Sequence, residues 1–270
     1  MNKIWRTLVG TCLLFVFAAC STKPQKHYDI TTMQSISYSL LDLADRKRQL
    51  RQFEQALLLY SESEDYAIKR NDKQVVGLAM LKRAAIYIEL GQVEKAKVLI
   101  QQVDAMVKHE EVPLVDAVDF LNAKHAWLLK DEEKALSLLT SLQTRFAEVP
   151  EKHLYYKFVI WSYWPERYDL SQMDKALQAL TQLKTERKME NIEIYSFALY
   201  QFLHQSVIQD SDRTPIVLAD ALSHFSQVEL SNKILECFVL AHQFYVGRQD
   251  KAKSEYFAEQ AKRLRASLLR

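Results

Sequence analysis

Histidine, cysteine and acidic residues build most catalytic and metal sites, and in this chain they are scattered. The sequence contains no HExxH, GxSxG, GxxxxGK[ST], GxGxxG or CxxC motif. No histidine lies three or four residues from another, so no helix face presents a ready pair of zinc ligands. His109 with Glu110 and Glu111 could gather a cation, but a solvated helix end explains them better. The sequence therefore predicts no enzyme activity, no cofactor and no metal; a site built from dispersed carboxylates and histidines is the alternative.

The N-terminal residues carry a clearer chemical signal. Residues 1–20 read MNKIWRTLVGTCLLFVFAAC, in which Lys3 and Arg6 precede an apolar run and two alanines stand before Cys20. The run is too short for a membrane-spanning helix, which needs about 20 apolar residues. The pattern predicts a secretory leader over residues 1–19 with a small-residue cleavage site.

The AAC ending at Cys20 resembles the lipobox of bacterial lipoproteins, although Phe17 stands where that family usually has Leu, Val or Ile. The resemblance implies that Cys20 becomes the first residue and that its thiol receives a diacylglyceryl group. Residues 20–30 are polar and contain a proline, so we expect a flexible tether. Ser21, rather than Asp, implies an outer-membrane position facing the periplasm. An ordinary leader with an incidental cysteine is the alternative.

Composition favours a helical fold and gives no sign of nucleic-acid binding. Four glycines and five prolines in 270 residues are too few for the many turns of a sandwich or barrel. Of the 36 basic residues two, Lys3 and Arg6, lie in the leader, and the other 34 equal the 34 acidic residues. A chain of balanced charge lacks the basic excess that attracts nucleic acid. Once Cys20 is acylated, Cys237 has no disulfide partner in the mature chain and is interpreted as a buried structural thiol.

Apolar residues recur at helical spacing from Leu40 onward, in segments of about 15 to 18 residues separated by short polar breaks. The sequence also contains a longer repeat, with a period of about 40 residues. Its segments are FEQALLLY, VEKAKVLI, EEKALSLL, MDKALQAL and QDKAKSEY, which align on Ala56, Ala96, Ala135, Ala176 and Ala252. The pattern predicts about six helix-turn-helix units, of which one, between Asn191 and Glu229, is degenerate.

Seven residues of the second unit have the spacing of the tetratricopeptide repeat signature: Ala84, Tyr87, Gly91, Val93, Ala96, Ile100 and Val103. The chain is similar to that superfamily over residues 31–270. The resemblance implies an all-α fold, a right-handed superhelical solenoid of about six units. Gly91 is predicted to take the left-handed backbone that ends one helix and turns into the next, and Gly247 to repeat this in the last unit.

In this superfamily, the first helix of each unit lines a concave groove that binds other proteins. The resemblance therefore implies groove positions in the first, second, third and last units. Those of the second and last units are apolar and are expected to be covered, whereas the third set mixes aromatic and charged groups as a peptide-binding groove would. The resulting partner-binding candidates are Tyr38, Asp45 and Arg48 in the first unit and Phe120, Lys124 and Trp127 in the third.

The aromatic run HLYYKFVIWSYWPERY, residues 153–168, is the most unusual stretch of the chain. Tyrosine and tryptophan dominate recognition hot spots, so Tyr156 and Trp164 are candidates for exposed, ligand-gripping rings. A helix that is apolar on nearly all sides is also typical of a buried helix, so core packing is the competing interpretation.

Together these patterns predict a lipid-anchored, periplasm-facing scaffold of the outer membrane. Its partner would be a protein or peptide segment of the envelope, its only membrane contact would be the N-terminal lipid, and nucleic acid is not expected. By resemblance to lipoproteins of this architecture, assembly of a pilus or secretion machine is the favoured process. A regulatory sensor that binds a peptide or small ligand and an adaptor for peptidoglycan hydrolases are the alternatives.

Overall fold

The computed structural model describes residues 32–110 and 112–268. The predicted leader, Cys20 and the predicted tether lie outside these residues. The described chain forms twelve α-helices and one short 3-10 helix, Pro165–Arg167, and contains no strand. The helices are α1 (Thr32–Gln49), α2 (Phe53–Lys69), α3 (Lys73–Glu89), α4 (Val93–Glu110), α5 (Val115–Leu128), α6 (Glu132–Arg145), α7 (Pro150–Tyr163), α8 (Leu170–Thr185), α9 (Ile192–Ile208), α10 (Thr214–Gln227), α11 (Ser231–Gly247) and α12 (Lys251–Leu268). The predicted all-α class is confirmed.

Consecutive helices pack against each other in pairs, as a series of helical hairpins would. The first helices of successive hairpins also touch: α1 with α3, α3 with α5, α7 with α9, and α9 with α11. The core follows this arrangement, because it divides into four clusters that each join only neighbouring hairpins. The odd-numbered helices thus form one layer of the stack, and that layer carries the candidate residues.

The aligned alanines explain how the two helices of each hairpin approach closely. Ala56, Ala96 and Ala135 have no exposed surface, and Ala176 is also buried. The alignment is wrong in the last unit, where Ala252 is exposed and Ser254 is the buried small residue. The reason is that α11 runs two residues further than the sequence comparison assumed.

Gly91 adopts a positive φ of 70° and terminates α3, as predicted. Its amide donates to the carbonyl of Ile88, and the amide of Gln92 donates to that of Tyr87, which is the Schellman pattern. The prediction for Gly247 is wrong, because Gly247 is the last residue of α11 and the left-handed residue is Gln249, with φ of 57°.

The Schellman turn recurs with little help from glycine. Seven non-glycine residues have positive φ, and each stands two residues beyond the end of a helix. They are Arg51, Asn71, Lys130, Arg187, Asp210, Glu229 and Gln249. The hydrogen bonds of the turn therefore fix these junctions, even where the side chain disfavours the left-handed backbone.

The first hairpin contacts a helix far along the chain. Arg51, in the turn between α1 and α2, places a guanidinium nitrogen 3.3 Å from Oε1 of Glu236 on α11. The side-chain amide of Asn232, one turn earlier on α11, donates to the backbone carbonyl of Gln49. The turn of the first hairpin and the first half of α11 are thus neighbours, although 185 positions separate Arg51 from Glu236.

Candidate functional site

Three of the predicted residues lie on one face of α5. Phe120, Lys124 and Trp127 follow each other at helical spacing, and all three are partly exposed. The Lys124 ammonium lies 4.7 Å from the centre of the Phe120 ring, a cation–π contact. The structure therefore brings these three side chains together, as the sequence predicted.

Aromatic side chains of α7 extend this face. The Phe120 ring lies 5.9 Å from that of Tyr155 in an edge-to-face arrangement. Trp127 stacks on Tyr163 with ring centres 4.8 Å apart and planes within 4° of parallel. Burial raises the pKa of both tyrosines above the ordinary value, so their hydroxyls stay neutral at physiological pH.

The aromatic residues continue across α9 to α11. Tyr155 contacts Phe197 at 5.4 Å, and Tyr200, one turn further along α9, lies beneath the ammonium of Lys233, 3.9 Å from its ring centre. Burial raises the pKa of Tyr200, and so do the negative charge of Glu236 and the hydrogen bond that the Tyr200 hydroxyl donates to its carboxylate. We call this set of side chains, all on the odd-numbered helices α5 to α11, the aromatic surface; its members are Phe120, Lys124, Trp127, Tyr155, Tyr163, Phe197, Tyr200 and Lys233.

Arg48, a predicted residue of the first unit, lies near the Lys124 end of the aromatic surface. Its guanidinium binds Oε1 of Glu89 on α3, with NH2 at 2.5 Å and Nε at 3.0 Å. Burial lowers the pKa of Lys124 to about 8, and the positive charge of Arg48 is the second cause, which Glu89 partly offsets. The three charged groups therefore interact even though Arg48 and Lys124 belong to different hairpins.

The other two candidates of the first unit do not join the aromatic surface. Tyr38 is 45% exposed and lies almost three turns before Arg48 on α1. Asp45 accepts hydrogen bonds from the Tyr60 hydroxyl, at 2.5 Å, and from the Lys82 ammonium, at 2.7 Å and 2.8 Å. Asp45 therefore joins α1, α2 and α3 and has a structural role within the first two hairpins.

Tyr156 and Trp164 were expected to be exposed enough to grip a ligand, and that expectation is wrong. Tyr156 is 8% and Trp164 2% exposed, and both belong to the core cluster between α5, α6 and α7. The indole nitrogen of Trp164 donates to Glu132 at 3.0 Å. The competing interpretation, core packing, is correct for these two rings, while their neighbours Tyr155 and Tyr163 are the partly exposed ones.

A contact between a serine and a histidine could in principle form a catalytic nucleophile, so the directions of its hydrogen bonds matter. Ser196 Oγ lies 2.8 Å from Nε2 of His224, and both residues are buried. The Lys184 ammonium lies 3.3 Å from Nδ1, and because an ammonium can only donate, Nδ1 must accept. Nε2 then carries the proton and donates to Ser196, whose own hydroxyl donates to the carbonyl of Ile192. A histidine in this tautomer cannot remove the serine proton, so the contact is structural.

Within residues 32–110 and 112–268, no group of three or more His, Cys, Asp or Glu side chains is placed to hold a metal ion. None of the helices in the same part of the chain has the length and apolar character needed to cross a membrane. Cys237 is buried, and burial raises the pKa of its thiol to about 12.

The aromatic surface also contains residues that the sequence did not single out. Tyr155 and Tyr163 stand within the quoted aromatic run, but the sequence does not reveal which side of α7 faces solvent. Phe197, Tyr200 and Lys233 had no local signal, and neither did Glu89, which lies beside the surface, because only the folded stack places them near the predicted residues.

Comparisons with family models, with curated proteins and with solved structures find no match to this chain.

Proposed function

We propose that this protein is a scaffold of the tetratricopeptide repeat type, whose aromatic surface binds a segment of another envelope protein and helps to assemble or position a complex. The single observation that carries the proposal is the aromatic surface, whose rings are in contact from Phe120 through Tyr155 to Phe197. It crosses α5, α7, α9 and α11, which are first helices of four successive hairpins. Such a surface offers a bound segment several turns of side-chain contact.

The right-handed superhelix is part of this proposal, and the long-range contact of the first hairpin supports a coiled stack. Packed helices lie about 8–10 Å apart, so a straight stack would separate α1 from α11 by roughly 40–50 Å. A stack that curves until its first hairpin meets its sixth would account for the contact of Arg51 with Glu236. In such a superhelix the odd-numbered helices, and with them the aromatic surface, would line the concave side.

The chemistry of the aromatic surface suits a protein segment. Tyrosine and tryptophan side chains that are partly exposed offer large apolar contacts and a polar end. Charged groups lie among or beside these rings, namely Lys124, Lys233 and the Arg48–Glu89 pair. A protein segment that contains both apolar and charged residues would therefore complement the aromatic surface. The balanced charge of the mature chain favours such a segment over nucleic acid.

The lipid anchor is also part of the proposal, and it is supported only by the sequence. A lipid on Cys20, with Ser21 after it, would hold the protein at the outer membrane facing the periplasm. Labelling cells with an alkyne fatty acid should mark the wild type and not Cys20→Ala, which should leave the membrane fraction. Persistent membrane association of Cys20→Ala would refute the lipid anchor, but it would not contradict the proposed binding role of the aromatic surface.

The binding role is tested by cross-linking in intact cells, followed by affinity capture and mass spectrometry. The test variant combines Phe120→Ala, Lys124→Glu and Trp127→Ala, and its helicity and melting are measured first. The matched control makes the same three kinds of change at exposed positions on the second helices.

The control variant combines Leu58→Ala, Lys97→Glu and Val98→Ala, all at exposed positions of α2 and α4. We expect one envelope protein to be captured by the wild type and the control and to be lost by the test variant. Capture that survives in a folded test variant, or no captured envelope protein at all, would contradict the proposal.

A further inference from the structure

Lys124 is the charged group of the aromatic surface that has no polar partner. Among the described residues it forms no hydrogen bond and no ion pair, and its contact is the face of Phe120 at 4.7 Å. The charged groups that face it from neighbouring helices are Arg48 on α1 and Glu89 on α3, which bind each other. Tyr155 of α7 is neutral. This end of the surface therefore carries one positive charge that nothing in the described chain balances.

An unbalanced charge in a partly buried position raises the free energy of the folded protein. Lys124 is partly exposed, but an ammonium that loses part of its hydration without gaining a counter-ion is disfavoured, and burial here lowers its pKa to about 8. At pH 7 the side chain is still mostly protonated, so the free protein holds an under-solvated cation. An incoming anion would offset that cost through a charge-assisted hydrogen bond.

We infer that Lys124 binds the carboxylate of an aspartate or glutamate side chain in the bound segment, and that apolar neighbours of that residue pack on Phe120, Trp127, Tyr155 and Tyr163. This inference rests on the proposed function and names the chemistry that the partner must carry. A single carboxylate matches the single unbalanced charge. A phosphate group would need further donors, and the Arg48 guanidinium, whose charge acts on Lys124, is already bound by Glu89.

A proton linkage follows from this assignment. The carboxylate binds the charged form of Lys124, so affinity falls as the free lysine loses its proton near pH 8. Between pH 7 and pH 9 the charged fraction of a group with a pKa of 8 drops about tenfold, and the affinity for an acidic segment should drop equally. Binding should raise the pKa of Lys124, which NMR of the methylated lysine can follow.

The test uses the full chain and a set of blocked twelve-residue peptides. Each peptide contains one glutamate flanked by leucine, phenylalanine or tyrosine, and each has a twin with glutamine in place of the glutamate. Binding is measured by calorimetry at pH 7 and pH 9 for the wild type, Lys124→Arg and Lys124→Met. Arginine keeps a cation that does not titrate in this range, and methionine keeps the length of the side chain without its charge.

The wild type should bind the glutamate peptides about tenfold more tightly than their twins at pH 7, and lose most of that preference at pH 9. Lys124→Arg should keep the preference at both pH values, and Lys124→Met should have it at neither. Equal binding of both peptide classes, with loss in the Phe120, Lys124 and Trp127 variant, would overturn the inference and leave the proposed function intact. Failure of the wild type to bind any peptide would count against both.

Discussion

His224 makes the stability of the protein depend on pH, because its imidazole is buried between three helices. The ring contacts Ser196 on α9 and the Lys184 ammonium on α8, and the edge of the Tyr195 ring lies against it. Burial, and then the charge of Lys184, lowers the pKa of His224 to about 4. A histidine in an unfolded chain has a pKa of about 6.5.

The sign and size of the effect follow from that difference. A folded-state pKa below the unfolded value means that the unfolded chain binds more protons between pH 6.5 and pH 4. The stabilisation is therefore present above pH 6.5 and is lost as the pH falls through this window. At 1.36 kcal/mol per pKa unit, roughly 2 kcal/mol of the unfolding free energy should disappear between pH 6.5 and pH 4.5.

The assay is urea unfolding followed by circular dichroism, at several pH values from 4.5 to 7, for the wild type and His224→Gln. Glutamine offers a donor to Ser196 and an acceptor to Lys184 but cannot take up a proton. We expect the variant to lose about 2 kcal/mol less than the wild type over this range. Lys184→Met should keep most of the wild-type acid loss, because burial is the larger cause.

Equal acid losses in the wild type and His224→Gln would refute this reasoning. They would mean that the folded protein accommodates the imidazolium, through water or a shifted Lys184. The comparison is made between variants because carboxylates elsewhere in the chain also contribute to acid unfolding, and their effect cancels in the difference.

Four further predictions concern stability and reactivity. Gly91→Val should destabilise the protein by about 1–2 kcal/mol in thermal unfolding, because φ is 70° there and no atom within 4 Å would clash with a new Cβ; an unchanged melting curve would contradict the turn assignment. Lys130→Gly, in the equivalent turn at φ of 62°, should instead stabilise by about 0.5–1 kcal/mol. Trp164→Ala should cost about 3–5 kcal/mol by chemical denaturation, because the ring is 2% exposed and its loss leaves a cavity and an unpaired Glu132; a smaller loss than that of Leu58→Ala would show that the ring is not core. Cys237, whose thiol has a pKa of about 12, should resist iodoacetamide at pH 8 in native protein and react once urea unfolds it; rapid native labelling would show that α11 opens locally.

The fold was predictable where the sequence repeats itself. Helical spacing and the aligned alanines identified the hairpins, because a small residue is required wherever two helices cross closely. Glycine was a poorer guide: Gly91 marks its turn, but Gln249 takes the equivalent role beyond Gly247. Backbone hydrogen bonds compensate for the strain of a non-glycine residue, so the position of a turn need not be visible in its composition.

The candidate site was predictable only within one helix. Repeat register was enough to group Phe120, Lys124 and Trp127, since residues at these spacings share a face of any helix. It could not separate Tyr155 from Tyr156, because their exposure depends on how α7 rotates against α6 and α9. It also could not foresee that Glu89 holds Arg48, because that pairing arises from the contact between α1 and α3.

In the proposed superhelix, the contact between the first hairpin and α11 would set the route by which a partner reaches the concave side. A bound segment inside a turn whose ends touch must either thread a free end through the opening or wait for the ends to separate. The Arg51 side chain of the Arg51–Glu236 pair is 71% exposed, and exposed ion pairs contribute at most about 1 kcal/mol, so this pair alone would oppose separation only weakly. Under the proposed function, escape of a bound segment would require the same opening, so the contact would slow release of the segment without adding to its binding contacts.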